Sequence, residues 1–214
     1  MRLVLPRLYV ILDAALLTIP ESESARQLVD VGVRLLQYRN KTASSRDMLE
    51  SSKRLSAELM PRRVTFIVND RADVAALAGA SGVHVGQVDL GGEEARAIVG
   101  PSKLVGISTH NRAQFEQAAA TSADYIAVGP IFSTSSKSNP DPVVGTEFIR
   151  HVRPLTDKPI VAIGGITLER AAEVVQAGAD SIAVISDILR APHPGERARR
   201  YVEMLETANH AAGV

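Results

Sequence analysis

Eight short apolar runs recur along the 214 residues of the chain, and longer segments of helical composition separate them. The runs occupy residues 8–12, 33–37, 65–68, 82–85, 104–107, 125–128, 160–163 and 181–185. The other segments are rich in Ala, Leu, Glu, Gln and Arg, which lose little entropy in a helix. Clear examples are residues 44–60, 111–121, 168–177 and 195–209. Because regular alternation of strands and helices is typical of a parallel sheet, the chain is predicted to be an α/β protein.

The number of strands favours closure of the sheet into a (β/α)8 TIM barrel with eight parallel strands. An open, doubly wound sheet has the same local pattern and is the alternative. The barrel is preferred because no Gly-x-Gly-x-x-Gly motif follows the first run. The length suits one α/β barrel better than two smaller domains. We therefore predict a single barrel domain over residues 1–214.

Charge and cysteine content exclude several classes of function. Lys+Arg and Asp+Glu both number 24, so no overall field would attract nucleic acid or an anionic membrane. No apolar run reaches the roughly 20 residues of a membrane span. Pro6, Arg7 and Asp13 interrupt the apolar N-terminal stretch, which argues against a signal peptide. The absence of cysteine excludes disulfides and favours a cytoplasmic protein. The sequence is compatible with a homo-oligomer.

Polar residues follow most of the predicted strands, which is where barrel enzymes carry their active sites. Asp70 and Asp89 follow neighbouring strands. Such strands lie about 5 Å apart, so both carboxylates could reach one cation. Oxygen ligands favour Mg²⁺ over zinc. The alternative is that each aspartate caps the helix that follows it, but the two together favour a metal site.

Basic side chains stand at the same end of the predicted barrel. Arg39 and Lys41 follow the second strand, and Lys137 lies in the long loop after the sixth. Such cations suit phosphate or pyrophosphate, Arg as a planar fork and Lys as a point charge. Hydroxyl residues at 133–136 precede Lys137 and favour a phosphate-binding loop. Taken singly, each cation is better explained by a solvated surface loop.

A second phosphate site is predicted after the last two strands. Gly164 and Gly165 follow the seventh strand, and Ser186 follows the eighth. Backbone N–H groups and a helix N-terminus at these positions form the usual barrel phosphate site. The five histidines have no metal-ligand spacing. We expect His84 to lie in the barrel interior or to support the site, and His110 to begin a helix.

Seven segments form an ordered set of motifs along nearly the whole chain. They read QYRNK at 37–41, NDRADVA at 69–75, GVHVGQVD at 82–89, GISTH at 106–110, DYIAVGPIFSTSSK at 124–137, PIVAIGGI at 159–166 and ADSIAVIS at 179–186. In order and spacing these motifs resemble the thiamine phosphate synthase family. The resemblance implies a barrel transferase that joins a hydroxymethylpyrimidine diphosphate to a thiazole phosphate, forming thiamine phosphate and pyrophosphate.

The resemblance also implies roles for individual residues. The pyrimidine diphosphate would be held by Gln37, Arg39, Lys41 and Asn69. Mg²⁺ would be bound by Asp70 and Asp89, with further pyrophosphate contacts from Ser108 and Lys137. The thiazole phosphate would be held by Thr134, Ser136, Gly165, Ile185 and Ser186. Three further residues of these motifs are predicted to touch substrate, namely Tyr38, Asn40 and Ser135. Catalytic roles are predicted for Arg39, Lys41, Ser108 and Lys137.

Three other functions are compatible with a barrel of this kind. A thiazole tautomerase shares the barrel but catalyses no coupling, and it would not be expected to keep Asp89. A non-catalytic barrel that binds a thiazole or thiamine phosphate should have lost the aspartate pair or the loop that carries Arg39 and Lys41. A generic phosphosugar barrel leaves Asp70 and Asp89 unexplained. The coupling enzyme is therefore the preferred prediction.

Overall fold

The computed structural model describes residues 3–134 and 141–211, with side chains as far as residue 207. Eight parallel strands close into a barrel in sequence order. They are β1 (Leu8–Asp13), β2 (Leu35–Arg39), β3 (Thr65–Asn69), β4 (Gly82–Val85), β5 (Leu104–Thr109), β6 (Tyr125–Val128), β7 (Ile160–Ile163) and β8 (Ser181–Val184). The predicted eight-stranded barrel is confirmed, and the open sheet is excluded, because β1 pairs with both β2 and β8.

A helix follows each strand. These helices are α1 (Glu21–Asp30), α2 (Ser45–Leu59), α3 (Ala72–Leu77), α4 (Gly92–Val99), α5 (Arg112–Ala120), α6 (Gly145–Val152), α7 (Leu168–Gln176), the short α8 (Ser186–Leu189) and the terminal α9 (Pro194–Ala211). Among the described residues, no helix is both long and apolar enough to cross a bilayer. The predicted last helix is confirmed as α9, and α8 is an additional short helix directly after β8.

The predicted strand boundaries differ from the structure mainly at β2 and β5. The second run is predicted at residues 33–37, but β2 begins at Leu35. Val33 is buried in the turn after α1, where its N–H donates to the Leu28 carbonyl, so its apolar side chain does not mark a strand. The shift places Arg39 at the end of β2, directly beside Asp13 of β1. Strand β5 runs two residues further than predicted, because Ser108 and Thr109 still pair with β6.

Apolar side chains form two cores, one on each face of the barrel wall. Alternate residues of a strand point to opposite faces, so Val10 packs against the helices whereas Tyr9 and Ile11 point into the barrel. The interior core consists of Leu5, Tyr9, Ile11, Leu35, Ile67, Tyr125, Ala127, Val161 and Ala183. Several of these side chains form the floor of a cavity at the carboxyl ends of the strands. The fold therefore presents a closed, largely apolar floor to any ligand at that end.

Gly106 on β5 makes room for the ring of Tyr125 inside the barrel. A Cβ at this position would lie 2.1 Å from Cζ of Tyr125. We expect Gly106→Ala to lower the free energy of unfolding by about 1–3 kcal/mol, the usual cost of overpacking a core. Gly195→Ala is the matched control because the nearest atom to an added Cβ there is 3.7 Å away. Urea unfolding measures both variants, and equal stability of the two would contradict the clash.

Candidate active site

A cavity that is open to solvent lies at the carboxyl ends of the strands, and the space between its lining atoms, open solvent included, is about 1000 Å³. Its walls bring together side chains from most of the strands and the loops that follow them. The lining includes eight of the residues predicted from the sequence: Gln37, Arg39, Asn69, Ser108, Thr134, Gly165, Ile185 and Ser186. These eight predicted residues lie up to 149 positions apart in the chain, from Gln37 to Ser186.

The two walls of this cavity differ in chemistry. The wall from β2, β3 and β5 carries the amides of Gln37 and Asn69 and the guanidinium of Arg39. The opposite wall follows β6, β7 and β8 and carries a hydroxyl of Ser186 together with the Gly164–Gly165 backbone. A cavity with one basic wall and one wall of hydroxyls and backbone can hold two different ligands side by side.

Arg39 is held in place by a buried carboxylate. Its Nη1 contacts Asp13 Oδ2, and the Asp13 side chain is only 6% exposed. Asp13 Oδ1 accepts a further hydrogen bond from the Ala15 N–H at 3.1 Å. A guanidinium has five N–H donors, so one bond to Asp13 leaves others that can point at a ligand. Asp13 thus orients Arg39 at the wall of the cavity.

Asp70 and Asp89 lie together at the rim, next to Lys41. The Lys41 ammonium contacts Asp70 Oδ2, and Asp89 Oδ2 accepts the Gly86 N–H at 2.9 Å. Burial raises the pKa of Asp70, contact with Lys41 opposes this, and the neighbouring Asp89 carboxylate raises the pKa further. The carboxylates of neighbouring strands are thus close, as the strand spacing predicts. None of the three side chains lines the cavity itself, but Asp70 directly follows Asn69, which does.

Helix capping does not explain the two aspartates. Helix α3 has Arg71 at its N-cap and α4 has Gly91, and neither helix start has a side-chain cap. Asp70 adopts a left-handed backbone conformation with φ 61°, and its N–H donates to the His84 carbonyl at 2.7 Å. Asp tolerates this conformation better than most residues. No third His, Cys, Asp or Glu completes a metal-binding cluster within residues 3–134 and 141–207. The candidate metal site therefore has two protein ligands among these residues, the carboxylates of Asp70 and Asp89.

The glycine pair after β7 is required by close packing of the loop after β6. A Cβ on Gly164 would lie 2.6 Å from Cα of Pro130, and one on Gly165 would lie 2.4 Å from the Ser133 carbonyl oxygen. Both glycines have positive φ. The Phe132 N–H also donates to the Gly164 carbonyl at 3.0 Å. The glycines therefore let the loop that carries Thr134 lie directly on the second wall.

His110 connects the same loop to β5. Its Nδ1 lies 2.6 Å from the Gly129 carbonyl oxygen, and its Nε2 lies 3.4 Å from Asp141 Oδ2. A carbonyl only accepts, so Nδ1 carries a hydrogen. Helix α5 begins at Arg112 with Asn111 as its N-cap, so His110 precedes the helix instead of beginning it. Its contacts join both ends of the loop to the rim of the barrel.

Besides the three residues at the rim, five predicted site residues lie apart from the cavity or outside the described residues. Tyr38 points to the helix side of the wall, where its hydroxyl donates to Glu21 at 3.0 Å. Asn40 organises its own loop, since its Oδ1 accepts the N–H groups of Thr42 and Ala43. Contacts of these two residues with substrate stay a prediction that the geometry does not support. Three predicted residues lie outside the described part of the chain: Ser135, Ser136 and Lys137.

Comparison with known proteins identifies the relatives of this barrel. Residues 8–188 match the family model described as thiamine monophosphate synthase. The chain belongs to the thiamine monophosphate synthase family. A thiamine-phosphate synthase of Koribacter versatilis is 51% identical over 210 residues, which cover 95% of this chain and 97% of that protein. One of Chlorobium phaeovibrioides is 43% identical, with 94% and 95% covered.

A solved structure supports the same assignment. The thiamine phosphate pyrophosphorylase from Pyrococcus furiosus superimposes with a TM-score of 0.86 at 34% sequence identity, covering 94% of this chain and 96% of that one. Thiamine monophosphate synthase is thus the family indicated by both sequence and fold, in agreement with the motifs.

Three residues of this thiamine monophosphate synthase barrel that support the site are missing from the sequence-based predictions. Asp13 stands out in the sequence only as an interruption of the first apolar run, although a charge at a strand end beside Arg39 is itself a signal. Tyr9 has the sequence context of an ordinary core residue, yet its hydroxyl bonds Gln37 at 2.8 Å. Asp141 has no local signal, because the loop path that brings it to His110 does not follow from periodicity.

Replacing Tyr38 separates its packing role from the predicted contact with substrate. Tyr38→Phe removes the hydroxyl that bonds Glu21 and Asn40. We expect the free energy of unfolding to fall by about 1 kcal/mol, the net value of a typical hydrogen bond. We expect KM to change by less than about threefold, because the hydroxyl faces away from the cavity. Steady-state kinetics and urea unfolding measure these effects, and a tenfold rise in KM at unchanged stability would contradict this placement.

Proposed function

We propose that this protein is a thiamine-phosphate synthase that transfers a hydroxymethylpyrimidine group from its diphosphate to a thiazole phosphate. The observation that carries the proposal is the two-walled cavity, with Arg39 in one wall and Lys41, Asp70 and Asp89 at the rim next to it. Phosphate-binding groups follow β7 and β8 on the other side. The proposed partners are small-molecule substrates, and the zero net charge gives no support to nucleic acid or membrane binding.

The proposed reaction breaks one C–O bond and forms one C–N bond. Pyrophosphate leaves first with the bonding electron pair, and the pyrimidine ring stabilises the carbocation that remains. The thiazole nitrogen then donates its lone pair to that carbon. No proton has to be transferred in these steps, so the site must mainly neutralise charge on the leaving group and exclude water. The buried apolar floor, Arg39 in the first wall and Lys41 at the rim suit both tasks.

The first wall supplies the charge. Arg39 is oriented by Asp13 at the cavity wall, and we assign it to the diphosphate as a planar fork. Lys41 contacts Asp70, and we propose that its other N–H donors reach the diphosphate. Ser108 adds a hydroxyl to the same wall. Lys137 is proposed to act on the diphosphate from the loop after β6.

The residues present fit a magnesium ion. Asp70 and Asp89 offer carboxylate oxygens, and Mg²⁺ in proteins is often held by one or two carboxylates with substrate phosphates and water as the other ligands. The raised pKa of Asp70 reflects its burial first and the nearby Asp89 charge as well, and a cation between the two would relieve that repulsion. When bound, Mg²⁺ would neutralise charge that develops on the departing diphosphate.

The second wall is proposed to hold the thiazole phosphate. Ser186 begins α8 directly after β8, and Ile185 and Gly165 lie beside it in the lining. A barrel phosphate is commonly bound at this position. Thr134, and with it Ser135 and Ser136, would complete the site from the loop after β6. The thiazole nitrogen would then face the first wall across the cavity.

A coupling assay distinguishes this proposal from its alternatives. Purified protein is incubated with both substrates, with Mg²⁺ or with excess EDTA, and thiamine phosphate is measured by chromatography. We expect product only when both substrates and Mg²⁺ are present. A tautomerase would give no thiamine phosphate under any condition. A non-catalytic barrel would bind ligand in saturating Mg²⁺ without turnover.

A further inference from the structure

Five polar side chains form a continuous chain of hydrogen bonds across the barrel interior. Gln37 Nε2 lies 2.8 Å from the Tyr9 hydroxyl, which lies 3.2 Å from the Tyr125 hydroxyl. The Tyr125 hydroxyl lies 3.1 Å from His84 Nδ1, and His84 Nε2 lies 2.8 Å from Ser108 Oγ. These four bonds connect Gln37 on β2 to Ser108 on β5, and both residues line the cavity.

One direction of this chain gives every hydrogen in it a partner. An amide nitrogen only donates, so the Tyr9 oxygen accepts from Gln37, and donation to Tyr125 is the bond that gives the Tyr9 hydrogen a partner within the chain. Tyr125 then has its own single hydrogen for His84 Nδ1. A neutral imidazole that accepts at Nδ1 carries its hydrogen on Nε2, which donates to Ser108. Burial raises the pKa of both tyrosines, which keeps the two hydroxyl hydrogens in place.

We propose that Tyr9, Tyr125 and His84 are positioning residues. Their one-way hydrogen-bond chain determines which end of the cavity wall offers a hydrogen-bond acceptor to the ligand and which end offers a donor. At one end Gln37 turns its side-chain carbonyl toward the ligand as an acceptor. At the other end Ser108 has accepted a bond from His84, and its own hydrogen is available for the ligand. The wall therefore selects a ligand with an N–H donor at the Gln37 end and an anionic oxygen at the Ser108 end.

An amino-substituted heteroaromatic ring that carries a phosphate has this combination of groups. This identification of the ligand rests on the proposed function, in which the pyrimidine diphosphate occupies the first wall. The direction of the chain does not depend on it. Reversing the direction would require the Gln37 amide to rotate by half a turn and would move the imidazole hydrogen from Nε2 to Nδ1. The tautomer of His84 therefore reports the direction of the whole chain.

The packing around Tyr125 fixes this arrangement. Its ring stacks on His84 with centroids 5.5 Å apart, and it meets Tyr9 edge-on at 6.2 Å. Gly106 leaves no side chain where the Tyr125 ring lies. Tyr9 and Tyr125 are at most 1% exposed, and Gln37 and His84 are 2% and 7% exposed. Buried polar chains of this kind are rigid because each unmade bond is costly.

Long-range ¹H–¹⁵N spectra of the uniformly ¹⁵N-labelled protein test the proposal without ligand or turnover. The His84 signals are assigned by their loss in His84→Gln. We expect His84 in the wild-type protein to be neutral with its hydrogen on Nε2. A neutral ring with its hydrogen on Nδ1, or an imidazolium at neutral pH, would overturn the proposed direction.

Tyr125→Phe tests whether the chain imposes this tautomer. The variant keeps the stacked ring but removes the donor to Nδ1, so we expect a mixture of the two neutral tautomers. Tyr201→Phe is the matched control, because this buried tyrosine bonds Asp187 and lies outside the chain. It should leave the His84 spectrum unchanged. A pure Nε2–H tautomer in Tyr125→Phe would contradict the positioning role.

Kinetics add a second readout. We expect Tyr125→Phe to lower kcat/KM for the pyrimidine diphosphate about tenfold, the loss of roughly one hydrogen bond, and Tyr201→Phe to change it less than twofold. Equal kinetics of the two variants would contradict the effect on the wall. If the wild-type protein forms no thiamine phosphate, the proposed function fails, whereas the tautomer measurements still decide the direction of the chain.

Discussion

Replacing Arg39 with alanine is expected to lower the turnover of thiamine phosphate formation by about 10² to 10³, the usual loss for one preorganised charge-stabilising donor. Arg39 lies in the cavity wall, and Asp13 orients its guanidinium. The alanine variant also leaves the buried Asp13 carboxylate without its partner, which costs stability. Circular dichroism and urea unfolding at the assay temperature must therefore accompany the kinetics.

Two further variants test whether turnover depends on the guanidinium geometry and on the position of the arginine. Arg39→Lys keeps a cation beside Asp13 but loses the planar fork, so we expect an intermediate loss of turnover. Arg62→Ala removes an arginine whose partner is Asp30 at the end of α1, and it should leave turnover unchanged. A folded Arg39→Ala protein with turnover within threefold of the wild type would reject the role of Arg39.

Asp89→Asn is expected to abolish the stabilisation of the protein by Mg²⁺ with pyrophosphate and to lower turnover by at least about 10². The amide oxygen can still accept the Gly86 N–H, so the loop should keep its shape while the charge is lost. A ligand present at 100 times its dissociation constant stabilises the folded state by about 2.7 kcal/mol. For a protein of this size that amounts to a rise of roughly 5–10 °C in Tm.

The control for this measurement is Asp73→Asn. Asp73 is an exposed acid on α3 near the same rim, and it is paired with Arg71. Its replacement should leave both the Mg²⁺-dependent shift in Tm and the turnover as in the wild type. The same shift in Asp89→Asn as in the wild-type protein would show that Asp89 does not bind the ion.

The fold was largely predictable because parallel strands and crossover helices have different periodicities. The starts of β4, β6 and β7 follow directly from short branched runs bounded by turn residues. The start of β2 could not be predicted in this way, because the apolar side chain of Val33 is buried in the turn that ends α1 and does not belong to the strand. The end of β5 does not follow either, because Ser108 and Thr109 are polar residues that stay in the ladder. In both cases tertiary contacts override local composition.

The site was predictable mainly where a residue lies at the carboxyl end of a strand or just after it. Asn69 and Ser186 reach the cavity because the barrel brings every strand end to one rim. Tyr38 is different, since one step along β2 turns a side chain from the interior to the helix side. The interior chain from Gln37 to Ser108 could not be predicted, because its members come from β1, β2, β4, β5 and β6. Their contacts depend on barrel closure and register, which local patterns do not specify.

The most direct test of the proposed synthase is the stoichiometry of its products. A rapid-quench experiment with both substrates, Mg²⁺ and substoichiometric pyrimidine diphosphate would measure thiamine phosphate and pyrophosphate in the same samples. We expect both products to form in equal amounts and neither to form when Mg²⁺ is removed by EDTA. Release of pyrophosphate without thiamine phosphate, or tight binding of both substrates with no product, would contradict the proposed coupling reaction.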